Sequence, residues 1–391
     1  MDKANSLINP ETINETFSNA LKITSNMNDK TKSTIFTLFA YLLITIIIFT
    51  YLYYSGSLFT NSLSQRECNF MDEIYGTLNG QIHPITIQDE QYSYTLKDYY
   101  IKSAYNCCSS GNYKNDYVNL CSLKNLLKQG VRGLDFEIFS INDQPVIATS
   151  TSDSYFVKET FNYILFADVM KVLRDYAFSS STSPNPTDPI IIHLRIKSTN
   201  LPMYNELAEI LNGYTDILLG SEFSDENHGK NLGNLKITSM MNKITIIVDK
   251  SNNFFLESDA FYEYINMTSN SVFSRLINYY DIQFSPDMNE LIMYNKTNMT
   301  IAIPDKGSNP PNPSALVLRE TGCQFIAMRY QLIDANIMES DIFFNEAGTA
   351  FALKPVKFRH IPDLLDIPPP QDPKVSYAPQ TIESDYYTVE I

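Results

Sequence analysis

The chain has no tryptophan, only five cysteines and four histidines, and 29 basic residues against 44 acidic ones in 391. The resulting formal charge of −15, with no run of Lys or Arg, excludes a nucleic-acid-binding face, which needs a surplus of cations over the phosphates. Cys68, Cys107, Cys108, Cys121 and Cys323 contain no Cys-x-x-Cys pair, so a structural zinc site is not expected. Cys107 and Cys108 are adjacent and do not easily pair with each other. Either one of them reaches Cys121 or Cys68, or the thiols stay reduced in a core or loop. No internal repeat is present. Disorder is excluded as well: 44% of residues are hydrophobic and 19% charged, enough to bury the core of one large or two ordinary domains.

Charge is also missing over a long local stretch, from Ser33 to Gln65. Within it Thr34–Tyr54 is apolar throughout, and 21 residues of helix span about 31 Å, the thickness of a bilayer's hydrocarbon core. Tyr51, Tyr53 and Tyr54 stand where an aromatic belt meets the headgroups. A cleaved signal peptide fits poorly, because 33 residues precede the run and the run is too long. The expectation is a single-pass anchor whose partner is the lipid bilayer. Lys22, Lys30 and Lys32 precede it and Arg66 alone follows. That bias places residues 1–33 in the cytosol and the large domain across the membrane. The triplets at Asn266, Asn295 and Asn298 match N-glycosylation acceptors and are compatible with that side.

Beyond the anchor, residues 55–89 read as a juxtamembrane connector and 90–358 as one globular domain. Gly133–Ser140 alternates, with Leu134, Phe136 and Ile138 on one face and Asp135 and Glu137 on the other. Gln144–Thr149 reads as a hairpin return and Asn162–Phe178 as a helix. Pro189–Lys197 reads as a buried central strand, Tyr204–Asn212 as a helix and Lys243–Val248 as a strand. Ala260–Asn266 and Val272–Tyr279 have helical spacing. Cys323–Tyr330, Met338–Asn345 and Phe351–Pro355 read as strand, helix and last strand. Regular alternation of strand and helix over this many units implies an α/β fold, a closed (β/α) barrel of the TIM type. Residues 359–391 are Pro-rich, then acidic and Tyr-rich, and read as a tail without a fold of its own.

Two stretches carry a family resemblance. Leu96–Ser198 contains LKDYYIKSAYN, LLKQGVRGLDFEIF, PVIATS, FADVMKVLRDYAF and PIIIHLRIKS. It resembles the X half of eukaryotic phosphoinositide-specific phospholipase C. Pro313–Pro355, with TGCQFIAMRYQ and ALKP, resembles the end of its Y half. The resemblance implies a distorted TIM-type barrel and an active site that works with two imidazoles and a calcium ion.

Those imidazoles are missing. The family's histidine positions hold Tyr105 and Thr149, and neither side chain shuttles protons at neutral pH. By the resemblance, Asn106, Asp135 and Glu137 match three of four calcium ligands, while the fourth position is Arg195, a fixed positive charge. Arg195 either pairs with Asp135 and Glu137 as a buried ion-pair network, the preferred reading, or stands in for the metal as an arginine does in bacterial members. His193, two residues before Arg195 on the same strand, is a core histidine or a substitute proton carrier. The family's phosphate-binding arginine is replaced by Ile301 in TIAIPDKG, and Asp249 intrudes in a region where the family is Lys-rich. These losses predict a phospholipase-like barrel without catalysis, serving a structural or binding role. The alternatives are a hydrolase with a rebuilt, calcium-independent site built on Asn106, Asp135, Glu137, Arg195 and His193, and a headgroup binder without turnover. No cofactor is expected other than calcium, against which Arg195 argues.

Overall fold

The computed structural model describes residues 28–361 and 379–391, apart from 153, 155 and 226–230. Most of the N-terminal tail, His228 and the Pro-rich stretch lie outside the described residues. Helix α1 (Asp29–Tyr75) comes first, followed by β1 (Tyr99–Ala104), α2 (Leu120–Lys128), β2 (Gly133–Ile141), β3 (Gln144–Ala148) and β4 (Ile164–Leu165). Then come α3 (Phe166–Val172), β5 (Ile190–Lys197), α4 (Leu201–Asn212), β6 (Ile244–Asp249), α5 (Asp259–Tyr262) and β7 (Met267–Ser269). The chain continues with β8 (Ser274–Asn278), α6 (Tyr279–Gln283), α7 (Met288–Thr297), β9 (Met299–Ile303) and α8 (Ala315–Arg319). It closes with β10 (Phe325–Met328), α9 (Ala335–Ala347), β11 (Phe351–Leu353), β12 (Thr381–Ser384) and β13 (Tyr387–Glu390).

Eight strands run β7-β6-β5-β2-β1-β10-β9-β8, each paired parallel to its neighbour, which gives a (β/α) barrel closed except at the β7–β8 seam. Parallel strands covered on both faces read as continuous apolar runs, and Ile190–Lys197 is buried along its whole length. The pleat then sorts the side chains. Leu134, Phe136 and Ile138 of β2 pack outward with Ile192 and Leu194 of β5 and the helices, while Ile101, Ile191, Ile247 and Phe325 fill the barrel interior. Gly133 is required by close approach: a Cβ there would lie 2.1 Å from the Ser103 hydroxyl.

Several expectations are corrected by tertiary context. The connector after residue 54 continues as helix to Tyr75, because the end of α1 packs Met71 and Tyr75 into the core beside α2. Val272–Tyr279 contains strand β8, not a helix, because pairing with β9 overrides a spacing that suits either structure. The helix sought over Ala260–Asn266 is the single turn α5, and the one over Asn162–Phe178 begins only at Phe166, after β4 has joined β3. Phe351–Leu353 is a strand, but it pairs antiparallel on β1 outside the barrel. The tail ends in the β12–β13 hairpin, which is exposed throughout. The disulfide joins Cys68 to Cys121, leaving Cys107 and Cys108 as buried thiols whose side chains lie in the main core. The side chains of Asn266 and Asn295 are buried and hydrogen-bonded, which removes both as glycan acceptors and leaves Asn298, half-buried, of the three.

Candidate active site

At the C-terminal end of the barrel, β1, β2 and β5 bring together the residues singled out above. Register places Asp135 opposite His193 and Glu137 opposite Arg195, so β2 and β5 present two stacked charged layers to the interior. Asn106 follows β1 in a left-handed conformation (φ 45°), and its backbone N–H donates to the Asp135 carboxylate at 3.2 Å. Arg195 then binds all three. Its Nη1 donates to Glu137 Oε1 at 2.6 Å, and its Nε and Nη2 donate to the two oxygens of Asp135 at 3.0 and 2.7 Å. Nη2 also donates to Asn106 Oδ1 at 3.0 Å.

The remaining valences are filled by neighbours. The Ser150 N–H and hydroxyl donate to Glu137 Oε2 at 2.8 and 3.0 Å. His193 meets Asp135 Oδ2 through Nδ1 at 2.7 Å and the Ser269 hydroxyl through Nε2 at 2.9 Å. Ser269, His193 and Asp135 thus line up as a nucleophilic triad does. All three are fully buried, however, and Asp135 is already neutralised by Arg195, so the order of the bonds supplies no reachable nucleophile. Burial pushes the Asp135 carboxyl up, but Arg195 and His193 outweigh it and hold the group well below the usual carboxylate range. Desolvation opposes the charge of Arg195, and Asp135 with Glu137 overcomes it, holding the guanidinium well above its ordinary value.

Tyr105 and Thr149, the positions to which the resemblance assigns the histidines, are both buried and packed. Tyr105 lies beneath Arg195, whose guanidinium carbon stands 4.5 Å from the ring centre, and burial raises its phenol well above the ordinary value. The Tyr105 ring meets Tyr113 edge-on at 5.4 Å, and Tyr113 in turn lies 4.6 Å beneath Arg329. Arg329 donates to the Tyr113 hydroxyl at 2.7 Å, to Asn309 Oδ1 at 2.9 Å and to the Pro310 carbonyl. Thr149 donates its hydroxyl to the Tyr113 carbonyl at 2.9 Å. Arg195, Tyr105, Tyr113 and Arg329 thus form a buried chain of contacts with a cation at each end and two rings between.

Sequence reasoning did not single out Tyr113, Ser150, Ser269 or Arg329. Ser269 lies 76 residues from His193, and Arg329 lies 216 from Tyr113, so no local pattern links them. Ile301 is buried in the barrel interior. Asp249 accepts from Ser251 and Asn270 and so holds the turn after β6, which is a packing role.

Calcium does not fit this arrangement. The oxygens of Asn106, Asp135 and Glu137 that would ligate it all accept from Arg195 at 2.6–3.0 Å, which puts a guanidinium in the space the ion needs. The Asn106 amino group is buried without a partner, and a donor adds nothing to a cation site.

Comparison with known proteins gives the class. Residues 92–250 match the model of the phosphatidylinositol-specific phospholipase C X domain. Among solved structures, PLC21 from S. officinalis superposes with a TM-score of 0.54 at 18% identity, and PLC21 from L. pealei with 0.54 at 17%. Each superposition covers 69% of this chain and 38% of the other, so the chain spans well under half the length of those proteins. No curated protein matches significantly. Residues 92–250 are therefore similar to that X domain, and the barrel has the fold of those two structures.

Proposed function

We propose that this protein is a membrane-anchored phospholipase-C-like barrel without phosphodiesterase turnover, acting through structure or binding. One observation carries the reading. Tyr105, Asn106, Asp135, Glu137, Thr149, His193 and Arg195 are all at most 5% exposed, so no phosphodiester reaches the groups that would act on it. Neither Tyr105 nor Thr149 replaces the lost imidazoles. A missing general acid costs about 10²–10⁴-fold in rate even where the substrate can bind.

For the anchor, Asp29–Tyr53 of α1 is long and apolar enough to cross a membrane, and its side chains are not packed against the barrel. The barrel is placed on the side opposite the cytosol. Support comes from the basic residues before the anchor and from the Cys68–Cys121 disulfide, which suits an oxidising compartment.

The test is hydrolysis of phosphatidylinositol and its bisphosphate by the full chain in mixed micelles, with calcium and with a chelator. No turnover above background is expected. Turnover that disappears in Asp135→Asn defeats this reading and establishes the rebuilt hydrolase, with Arg195 as its built-in cation. Calorimetric titration with calcium is expected to show no binding, and tight binding contradicts the assignment of Arg195.

A further inference from the structure

The two ends of α1 have different surroundings. Its C-terminal part docks on the barrel: Ser110 of the mouth loop after β1 donates to Glu67, and Cys68 is bonded to Cys121. Asn125 donates to Asp72 at 2.7 Å, and Gln129 donates to the Tyr75 carbonyl at 3.1 Å. In the apolar span, Asp29–Tyr53, no residue is buried. The helix is continuous between the two parts, so the docked face sets which way every face of the span points.

Polar side chains are not scattered around the span. At about 3.6 residues per turn, Thr34, Thr37, Tyr41, Thr45, Ile48 and Leu52 fall on one stripe about 80° wide. By the same count the docked face of Glu67, Cys68, Asp72 and Tyr75 is centred about 150° away, so the stripe points away from the barrel. The threonine hydroxyls donate back along the helix, Thr34 to the Lys30 carbonyl at 2.9 Å, Thr37 to Ser33 at 2.7 Å and Thr45 to Tyr41 at 2.8 Å. Each keeps its acceptor lone pairs. The Tyr41 hydroxyl has no hydrogen-bond partner among the described residues. Tyr41 follows Thr34 by two turns, a depth of about 10 Å in the hydrocarbon, too deep for its phenol to reach water. An unpaired hydroxyl there is costly, unlike those of Tyr51 and Tyr53 near the end of the span.

We infer that α1 pairs in the bilayer with α1 of a second copy of this chain, the Tyr41 hydroxyl of each donating to a threonine hydroxyl of the other. This rests on the reading of α1 as a membrane span. α1 is the one candidate span among the described residues, so the helix that meets the stripe belongs to another molecule. Copies of one chain enter a membrane in one orientation. In a parallel pair each Tyr41 therefore stands at the depth of the other's Thr37 and Thr45, and one two-fold contact satisfies both hydroxyls. The span holds no glycine and one alanine, Ala40, which lies off the stripe. Close backbone approach over small residues is thus not what would join the helices, and hydrogen bonding is left as the specific attraction. With the stripe turned away from the docked face, the two barrels lie on the outer sides of the pair and do not collide.

The native cysteines are bonded or buried, so an introduced one reports its own neighbours. The full chain is reconstituted at low density in phosphatidylcholine vesicles as Ile48→Cys, on the stripe, or Ile46→Cys, at nearly the same depth on the docked side, and oxidised with copper phenanthroline. Both positions are more than half exposed, so the fold tolerates either change. Ile48→Cys is expected to run mainly as a disulfide-linked dimer and Ile46→Cys as a monomer. Adding Tyr41→Phe to Ile48→Cys is expected to lower the linked fraction at low density, through a dissociation constant raised at least about threefold. No dimer from Ile48→Cys, or equal linking at both positions, in a chain that stays in the vesicles through an alkaline carbonate wash overturns the pairing alone. A dimer unchanged by Tyr41→Phe overturns the role of that hydroxyl. If the wash releases the chain, the anchor reading fails and the pairing with it.

Discussion

Two acidic clusters on this molecule are built around different partners. At the barrel mouth, Asp135 and Glu137 are buried and ion-paired with Arg195. At the junction of α1 with the mouth loop, the carboxyls of Glu67 and Asp116 crowd Gly111, and among the described residues neither forms an ion pair. Burial, and then the hydrogen bond with Asp116, pushes the Glu67 carboxyl up to about 8. The residue types are the same, so the partner decides: a guanidinium stabilises the anion, while burial beside a second carboxyl disfavours it.

The largest effect is expected at the mouth. Arg195→Met leaves two buried carboxylates unpaired and should cost about 3–5 kcal/mol in unfolding of the full chain in detergent micelles. The triple variant Asp135→Asn, Glu137→Gln, Arg195→Met removes the charges together and should recover most of that loss. If it unfolds as early as Arg195→Met, charge pairing is not what holds the mouth. At the junction, Cys68→Ser with Cys121→Ser opens a loop with a sequence separation of 53, and the chain-entropy model puts the loss at about 4 kcal/mol at most. A reductant should reproduce that loss in the wild type and do nothing to the variant.

The pH dependences should run in opposite directions. Glu67 has a folded value raised from 4.5 to about 8, so its contribution is fully present below 4.5 and is lost as pH rises toward 8. Asp135 is depressed below its ordinary 3.8, so its contribution is present above 3.8 and is lost as pH falls. Glu67→Gln should flatten the first slope and leave the second unchanged, as read from melting temperatures across pH. A wild-type protein whose stability rises steadily from acid to pH 8 would contradict the raised value of Glu67. The smallest effect is expected from Thr149→Val, which removes the bond to the Tyr113 carbonyl and should cost about 1 kcal/mol.

Restoring the imidazole sharpens the contrast between a lost group and a closed site. Tyr105→His should yield no turnover, because Thr149 still stands at the second position and the Arg195 network remains sealed beneath Tyr113 and Arg329.

How much of this was legible depended on distance along the chain. Asp135 and Glu137 could be placed together on the inner face because a strand repeats every two residues, and the same rule put His193 below Arg195. Tyr113, Ser269 and Arg329 escaped because each reaches the mouth on a separate loop or strand end, and only barrel closure brings those together. Val272–Tyr279 was misread for a related reason: its apolar spacing fits a helix face as well as an edge strand, and β9 decides between them. Cys68 found Cys121 because α1 stays helical past the apolar run, which composition did not require.

Local pattern alone determined that Thr34–Tyr54 has bilayer length, that residues 105 and 149 carry no imidazole, and which faces of the central strands carry charge. These follow from helix rise, residue chemistry and the strand repeat. Tertiary structure decided which carboxyls meet a cation, which cysteines are joined, and where the apolar helix meets the barrel. Each of those depends on which groups lie within a few ångströms after closure, and charge and hydrogen-bond energies vary steeply over that range.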